Sequence, residues 1–413
     1  MGLGIAVLVF LVATLVGLAF LLVVGVIYFE LSNSEIPPGV AHPWRLRVLH
    51  CVLIGVSVLG KIVENLGVCS QVVFVRCFRD RWLVGKEGED PKLFIKDLTF
   101  DNVPVRVYQP KSPSSGGRRG VVFLHGGGFV FGSINSYDSL CRYLSKESES
   151  VVVSVGYRLS PEYRYPIPFE DCLHATVHFL KMAADYGVDP ASVILGGDSA
   201  GGNLTAAVCQ SLVSRTDLPK LCAQVLIYPA LQMVDLNLPS FQQNHSVPIL
   251  YRERVAFYVL NYLHGDMSVM DEVLEGKHVP ADMRLKFRKW LSPDNIPEEF
   301  RRRGFKPQVF TSHIDEVYEE VQKCFEPSFS PLLAEDSTVR CLPKAYILTC
   351  EFDVLRDDGL LYKKRLEDNG VQVTWYHVKD GFHGIVSFFN KGYLHFPAGK
   401  IAIDDIISFI KNA

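Results

Sequence analysis

The residues from Gly197 to Gly201 carry the strongest indication of chemistry in this chain. They read Gly-Asp-Ser-Ala-Gly, a G-x-S-x-G pattern that follows the apolar run Val193–Leu195 and precedes a helical stretch. A serine on a sharp strand-to-helix turn projects its Oγ from the top of a sheet, where it can attack a carbonyl carbon. A glycine-rich turn with an incidental serine would show the same letters. The strand and helix around the pattern favour Ser199 as a nucleophile.

A second glycine-rich segment follows the apolar run Gly120–Leu124 and contains His125-Gly126-Gly127-Gly128. Acyl transfer places negative charge on the carbonyl oxygen, and the backbone N–H groups of such a loop can stabilise that charge. We therefore predict Gly126, Gly127 and Ala200 as donors, with His125 bracing the loop. A phosphate-binding loop is the alternative, but the segment lacks the lysine of a P-loop and the spacing of a dinucleotide site.

A serine nucleophile of this kind needs an acid and a base that follow it in the order Ser, Asp or Glu, His. Asp353 comes just after the predicted strand Ala345–Thr349, and His383 comes just after Val371–His377. Reactive loops gather at the carboxyl ends of parallel strands, so both residues are well placed. The other histidines and acids that we considered are His125, His174, His178, His313, His377, Glu351, Asp357 and Asp358.

Strand-like and helical segments alternate along most of the chain, which predicts an α/β protein with a mostly parallel sheet covered on both faces. The predicted strands are Leu98–Tyr108, Gly120–Leu124, Val151–Val155, Val193–Leu195, Ala223–Tyr228, Ala345–Thr349 and Val371–His377. The predicted helices are Ser139–Lys146, Pro168–Tyr186, Asn203–Ser214, Gly359–Asn369 and Ile401–Ile410. The alternation stops between about residues 231 and 333, so we predict that this stretch is an insertion that forms a cap beside the site.

The first 29 residues contain no charged side chain and are dominated by apolar ones. A helix needs about 20 apolar residues to cross the hydrocarbon core, and this run is long enough. A cleaved signal peptide is the alternative, but it would have a basic start and a small-residue cleavage site. We therefore predict a transmembrane signal-anchor at 1–29, a linker and N-terminal cap region at 30–97, and the main domain at 98–413. The apolar stretch His50–Leu59 is too short to span and favours an interfacial or core helix.

Composition excludes several classes of protein. The formal net charge is −3 and no long basic run is present, which argues against a nucleic-acid partner. Ten scattered cysteines without a CxxC pair do not form a disulfide scaffold or a zinc site. We predict no metal and no organic cofactor. The remaining partners are lipophilic small molecules and the lipid bilayer.

Taken together, these motifs resemble the hormone-sensitive-lipase-like family and, within it, the arylacetamide deacetylase branch. The resemblance rests on His125–Gly128, Tyr157–Glu162, Gly197–Asn203, Asp353–Gly359 and Asp380–His383. It implies an α/β-hydrolase fold, the triad Ser199, Asp353 and His383, and an oxyanion segment that includes His125. It also implies a single-pass protein of the endoplasmic reticulum membrane with a lumenal catalytic domain.

The resemblance also leaves points open. Lys and Arg residues follow the apolar segment and none precedes it, so the charge rule taken alone would place the main domain in the cytosol. A disulfide of the branch would pair Cys350 with a cysteine at the position of Val130, which predicts a free buried thiol at Cys350. A lumenal domain could carry a glycan, and we predict Asn244 in preference to Asn203 as its site.

The sequence therefore predicts a serine hydrolase that cleaves lipophilic carboxylic esters, or arylamides or lipid esters, through an acyl-enzyme. A non-catalytic ligand-binding protein on the same fold is the alternative, because fold alone does not establish function.

Overall fold

A single eight-stranded sheet forms the centre of the catalytic part of the chain. The computed structural model describes residues 2–34, 36–83, 88–114, 116–308, 312–390 and 392–413. The strands are β1 Leu93–Phe100, β2 Val103–Pro110, β3 Arg118–Leu124, β4 Val151–Val155, β5 Val188–Asp198, β6 Ala223–Ile227, β7 Lys344–Phe352 and β8 Val373–Phe382. Their order is β1-β2-β4-β3-β5-β6-β7-β8, and only the contacts of β2 with β1 and β4 are antiparallel. The predicted mostly parallel sheet is confirmed.

The central strands are buried on both faces, because their residues are apolar without alternation. Every residue of β4 and β6 is buried. Neighbouring residues on one strand belong to different cores: Val121 and Val122 of β3, for example, pack into separate apolar clusters on opposite sides of the sheet. The sheet is therefore the middle of three layers.

Helices cover both faces of the sheet, as predicted. The helices of the catalytic part outside the insertion are α4 Asp138–Ser148, α5 Ile167–Met182, α6 Ala200–Leu212, α14 Arg356–Asp368 and α15 Pro397–Asn412. Helices α4 and α15 bury their apolar sides in one cluster, while α5, α6 and α14 bury theirs in the other. Each parallel crossover thus places a helix against the sheet that it connects.

The predicted strand Leu98–Tyr108 is wrong, because the chain turns in its middle. Residues Asp101 and Asn102 have φ values of 47° and 69° and join β1 to β2 in an antiparallel hairpin. Two successive left-handed residues are typical of the tight hairpin turn that Asp and Asn tolerate. Strand β1 therefore begins at Leu93, and the predicted boundary at residue 98 cuts through it.

The stretch between β6 and β7 forms the insertion beside the sheet. Its helices are α7 Pro239–Gln243, α8 Arg252–Leu263, α9 Met270–Leu274, α10 Ala281–Leu291, α11 Glu298–Arg301, α12 Asp315–Val321 and α13 Asp336–Val339. It contains no strand in its described part, and residues 309–311 lie outside that part. The break in alternation between 231 and 333 therefore corresponds to a helical insertion.

Three helices precede the sheet: α1 Gly2–Asn33, α2 Pro43–Asn65 and α3 Gln71–Phe78. Met1, in the predicted anchor, lies outside the described residues. Helix α2 has the length and hydropathy to cross a membrane, although one third of its apolar window is buried; Val16–Ser32 in α1 is a shorter apolar segment. The stretch His50–Leu59 is thus part of a 23-residue helix, and the prediction that it is too short to span is wrong.

Candidate active site

The candidate nucleophile lies in the turn between β5 and α6. Ser199 has φ 56° and ψ −118°, a strained conformation for a residue with a side chain. The turn can form because Gly197 and Gly201 have no side chains: a Cβ there would lie 2.5 Å and 2.0 Å from the Leu124 carbonyl oxygen. The Ser199 N–H donates to the Ile227 carbonyl at 2.8 Å, so the neighbouring strand holds the turn in place. Ser199 has the strand–turn–helix context that its motif predicts.

Three side chains that are far apart in the sequence form a continuous chain of hydrogen bonds. The His383 Nε2 lies 2.9 Å from the Ser199 Oγ, and the His383 Nδ1 lies 2.8 Å from the Asp353 Oδ2. Asp353 follows β7 and His383 follows β8, and these neighbouring strands run parallel. Their carboxyl ends meet at one edge of the sheet, as expected for reactive residues in this architecture.

The surroundings of Asp353 determine how His383 is protonated. Asp353 is fully buried, and its Oδ1 accepts the N–H of Leu355 at 2.8 Å. Its Oδ2 is therefore the oxygen that faces the ring, and a carboxylate oxygen can only accept. The Nδ1 carries the proton that it donates to Asp353, which leaves the Nε2 lone pair to accept the hydroxyl proton of Ser199.

The glycine loop differs from the prediction at Gly126. The Gly126 N–H donates to the Asp198 Oδ1 at 2.8 Å and makes a longer contact of 3.2 Å with the Tyr137 hydroxyl oxygen. A Cβ on Gly126 would lie 2.7 Å from the Asp198 carbonyl oxygen and 2.7 Å from the Asp198 Oδ2. Because this amide already has an acceptor, the prediction that Gly126 is an oxyanion donor is wrong. Gly126 instead anchors the loop to the residue before the nucleophile.

The next two glycines are better placed to receive an oxyanion. Gly127 and Gly128 have φ values of 122° and 63°, and within the described residues neither amide donates a hydrogen bond. Ala200 is the first residue of α6, where N–H groups have no acceptor inside the helix. Gly127 and Ala200 remain candidates, and Gly128 is a further one that the sequence prediction missed although it stands in the same motif.

Asp198 is the buried acid that joins the two loops. It accepts the hydroxyl proton of Tyr137 at 2.9 Å in addition to the N–H of Gly126. Burial raises the pKa of Asp198 to about 6, and these hydrogen bonds oppose that rise. The carboxylate is therefore mostly ionised at neutral pH.

His125 holds the loop by packing and hydrogen bonding. Its ring stacks on Tyr157 with centroids 4.3 Å apart, and its Nδ1 lies 2.9 Å from the Gly126 carbonyl oxygen. The Tyr157 hydroxyl donates to the His125 carbonyl at 2.6 Å. Burial lowers the pKa of His125 to about 4, so the ring stays neutral at physiological pH. A bracing role fits these contacts.

The competing histidines and acids have other partners. His377 bonds to Glu351 and Thr349, and His313 bonds to Asp315. Asp357 and Asp358 are buried in α14 and accept backbone N–H groups at the base of the insertion: Ser240 for Asp357, Leu231 and Gln232 for Asp358. Asp358 therefore does not cap a helix at Gly359, because that helix begins at Arg356.

The asparagine side chains of both glycosylation sequons are buried, which contradicts the predicted glycan at Asn244. The Asn244 side chain is fully buried, and its Nδ2 donates to the carbonyl oxygens of Asp353 at 3.0 Å and Glu351 at 3.3 Å. The Asn203 Nδ2 donates to Ala230 and Phe329. A sugar on either nitrogen would displace these bonds and has no space in the folded chain.

Asn244 thus has a structural role that nothing in its sequence surroundings indicated. It joins the insertion to the backbone of the candidate acid, and the two residues are 109 positions apart. Asp198, in contrast, was visible inside the motif as the residue before the serine.

Cys350 is buried and unpaired, as predicted, and burial raises the pKa of its thiol. No group of three or more His, Cys, Asp or Glu in the described part of the chain is arranged to hold a metal ion.

The fold and this site define an α/β-hydrolase with a serine in the nucleophile turn. Residues 121–284 and 294–387 match a protein family with the alpha/beta hydrolase fold. An esterase structure from Pyrobaculum calidifontis superposes with a TM-score of 0.64 at 27% identity, covering 86% of this chain and 97% of that one. The predicted fold class is confirmed.

Two curated relatives define the branch. Arylacetamide deacetylase-like 4 of Homo sapiens is 46% identical over 94% of this chain and 95% of its own length. Neutral cholesterol ester hydrolase 1 of Mus musculus is 36% identical over 86% of this chain and 88% of its own. The chain belongs to the arylacetamide deacetylase branch of the alpha/beta-hydrolase family, as its motifs predicted.

Proposed function

We propose that this chain hydrolyses carboxylic esters of lipophilic substrates, with Ser199 as nucleophile, His383 as general base and Asp353 as its partner. The observation that carries this proposal is the position of the His383 ring, with one nitrogen 2.9 Å from the Ser199 hydroxyl and the other 2.8 Å from the Asp353 carboxylate. Nucleophile and base within hydrogen-bond reach, with the base oriented by a third group, are typical of covalent acyl transfer. Hydrolase relatives support the same reaction.

The reaction has two halves. The Ser199 Oγ attacks the ester carbonyl carbon as its proton moves to the His383 Nε2, and the resulting tetrahedral intermediate collapses when that proton passes to the departing alkoxide. The alcohol leaves and the acyl group stays bonded to Ser199. Water then attacks the acyl-enzyme, His383 takes its proton, and the acid leaves as the serine regains a proton. The buried carboxylate of Asp353 stabilises the imidazolium in both halves.

The amides of Gly127, Gly128 and Ala200 are the proposed donors to the oxyanion. They have no competing acceptor within the described part of the chain, whereas Gly126 is bonded to Asp198. One such donor typically contributes about 10²–10³ in rate. The hydrogen bond between Gly126 and Asp198 would then hold the loop in place beside the nucleophile before substrate binds.

The insertion supports lipophilic substrates. Aromatic side chains of α8 lie directly over the glycine loop: Tyr258 covers Gly128, where a Cβ would lie 2.3 Å from its ring, and Tyr262 stacks on Phe129 at 3.8 Å. Tyr262 is fully buried, whereas Tyr258 is partly exposed, and ligand pockets are lined mainly by aromatic and apolar side chains of this kind. The name of the mouse relative concerns a cholesterol ester, and a lipid ester is therefore one candidate substrate besides an arylacetamide.

The same proposal includes a membrane location. Helix α1 contains residues 2–29 of the predicted anchor, which carry no charged side chain, and at 32 residues it is about 48 Å long, enough to cross a bilayer. We place this signal-anchor in the endoplasmic reticulum membrane, with residues 30–92 as the linker and N-terminal cap region and the catalytic domain, which begins with β1 at Leu93, in the lumen. The substrate would then be delivered from the bilayer.

An active-site-directed fluorophosphonate tests the nucleophile. We expect labelling of the full-length wild type and none of Ser199→Ala. Ser211→Ala is the matched control, because this serine lies on the same helix α6 and donates only to the Ala207 carbonyl. His383→Ala should also lose labelling, since the hydroxyl then lacks its base. A folded wild type that resists the probe would instead favour the ligand-binding alternative.

A further inference from the structure

Helix α2 has two different faces. Leu46, Leu49, Ile54 and Gly60 are buried on one side. The opposite side carries Trp44, Val48, Val52, Leu59 and, just after the helix, Leu66, which we call the α2 outer face; Trp44 is 57% and Leu66 73% exposed. Their spacing of four, four, seven and seven residues places them in one stripe of an α-helix. A stripe of this length without a charged residue is unusual on a surface that faces water.

The buried side of α2 packs against the catalytic domain. Leu46 belongs to the same apolar cluster as Phe382 and Phe396, and the Arg45 guanidinium donates to the His395 carbonyl. Helix α3 returns from the far end of α2, where the Gln71 side chain donates to the Ser57 carbonyl at 2.9 Å. Because this side is occupied by the enzyme, α2 cannot be surrounded by lipid, although its length would allow it to span.

Helix α1 connects the outer face to the bilayer. A Cβ on Gly55, in the middle of α2, would lie 3.6 Å from Ile27 and 3.8 Å from Val23 of α1, so the two helices are in contact. Gly55 points in the same direction as the outer face. The remainder of α1 exposes apolar side chains such as Phe10 and Phe20. The apolar surface of the proposed anchor and the α2 outer face are therefore continuous.

We propose that the α2 outer face lies in the near leaflet of the membrane, as a second contact that orients the catalytic domain on the lipid surface. This inference rests on the proposed membrane attachment through α1. An amphipathic helix with one apolar side in the leaflet and the other on its protein is a common mode of interfacial binding. The exposed apolar stripe is then covered without a protein partner.

The orientation has a consequence for substrate access. Helix α3 follows α2 directly, and its Arg76 donates to the carbonyl oxygens of Val130 at 2.8 Å and Ser160 at 2.5 Å, just beyond the glycine loop. The helix that packs on α2 therefore also binds the backbone next to the proposed oxyanion loop. In this proposal, an ester in the near leaflet enters the catalytic domain from the side on which α2 and α3 lie.

Tryptophan quenching by brominated lipid tests the contact without requiring activity. The chain has four tryptophans, Trp44, Trp82, Trp290 and Trp375. A full-length variant that keeps only Trp44, with the others changed to Phe, is reconstituted in phosphatidylcholine vesicles with brominated acyl chains. We expect strong quenching of Trp44, and little quenching in the matched variant that keeps only Trp290, which is buried in the insertion. Equal emission of Trp44 in brominated and plain vesicles would overturn the proposal.

A charge on the outer face supplies a second measurement. In Val52→Glu, we expect hydrolysis of a long-chain ester held in vesicles to fall about tenfold, because a carboxylate is costly in the apolar part of a leaflet. Hydrolysis of a water-soluble short-chain ester should be unchanged. Ile401→Glu is the control, an exposed apolar residue of α15 and not of the N-terminal helices. Loss of vesicle activity in both variants would contradict the proposed surface. A wild type that is inactive on both esters would contradict the proposed function, and the quenching result alone would then decide whether the α2 outer face contacts lipid.

Discussion

Asp198 connects two parts of the proposed active site that are 72 residues apart in the sequence. Its carboxylate accepts from the Gly126 amide and the Tyr137 hydroxyl, and it precedes the nucleophile. Because the group is fully enclosed, its charge is costly and the pKa rises to about 6. The position of the glycine loop relative to Ser199 thus depends on an acid that titrates close to physiological pH.

The raised pKa of Asp198 predicts a specific pH dependence of stability. An unfolded aspartate titrates near about 3.9, so between about pH 4 and pH 6 the folded chain binds more protons than the unfolded chain, and stability falls as pH rises through that window. Asp198→Asn lacks this contribution. Relative to wild type, the variant's Tm should therefore rise between about pH 4.5 and pH 7.5, by an amount that corresponds to a difference in unfolding free energy on the order of 2 kcal/mol. Parallel Tm profiles for the two proteins would contradict the assignment.

Gly128 tests the revised set of oxyanion donors. In Gly128→Ala the new Cβ would lie 2.3 Å from the Tyr258 ring, at a position with φ 63°. We expect kcat to fall about 10²-fold or more, since the loop amides must move away from the oxyanion. The control is Gly370→Ala, which has φ 80° but no atom within 4 Å of the new Cβ. It should lose some stability and keep its activity, as measured by steady-state kinetics and melting curves. A fully active Gly128→Ala would refute the revised set.

At the scale of elements, the N-terminal helices are part of the catalytic assembly. Arg76 on α3 reaches residue 130, next to the glycine loop, residue 160 on the loop after β4, and the carboxylate of Glu162 at 2.9 Å. The three nitrogens of the planar guanidinium each donate to a different one of these acceptors, a spread that the single nitrogen of a lysine ammonium cannot reproduce. These bonds make Arg76 a positioning residue for the loop.

Replacing Arg76 should lower kcat with little effect on KM. We expect about a tenfold loss in Arg76→Ala and no recovery in Arg76→Lys, because displacement of the loop weakens donors that act in the transition state. The pH profile of the remaining activity should keep its shape, since His383 and Asp353 are untouched. Arg81→Ala on the following turn, where the side chain is exposed, is the control. A change in KM alone would point to substrate binding instead.

At the scale of the whole molecule, burial determines whether an asparagine that matches a glycosylation pattern can carry a sugar. Asn203 and Asn244 both match the glycosylation pattern, yet both side chains are enclosed and hydrogen-bonded to backbone carbonyls. Buried amides that lose their partners destabilise the fold by about 1–3 kcal/mol each. Both asparagines therefore contribute to packing and to the hydrogen bonding of the backbone.

We accordingly predict that the chain carries no N-linked glycan, even if its catalytic domain lies in the lumen. Endoglycosidase treatment should leave its electrophoretic mobility unchanged, with a glycosylated secretory protein as the positive control. Asn244→Gln should lower the Tm and the activity, because Asn244 supports the backbone of Asp353. A mobility shift that disappears in Asn244→Gln would show that the fold admits a sugar there. Topology is better measured by protease protection of sealed vesicles.

The residues of the proposed triad were predictable because each lies in a local pattern. Ser199 stands between a short apolar strand and a helix, and Asp353 and His383 come directly after strands whose composition is visible in the sequence. Parallel strands end at a common edge, so the order of segments was enough to infer that these residues meet. The hairpin at Asp101 and Asn102 was missed although the apolar alternation changes phase there, from Leu98 and Phe100 to odd-numbered positions after the turn.

By itself, the sequence determined the class of fold, the family and the three residues proposed for catalysis, since all of these depend on short patterns and their order. Only the tertiary structure decided that the Gly126 amide is already bonded, that Asn244 is enclosed, and that α2 keeps one face on the enzyme and leaves the other apolar and exposed. The physical reason is that a hydrogen-bond partner or a neighbouring surface belongs to a distant part of the chain. The residue type determines which contacts a group can make, and the fold determines which of these contacts are already made and which remain available.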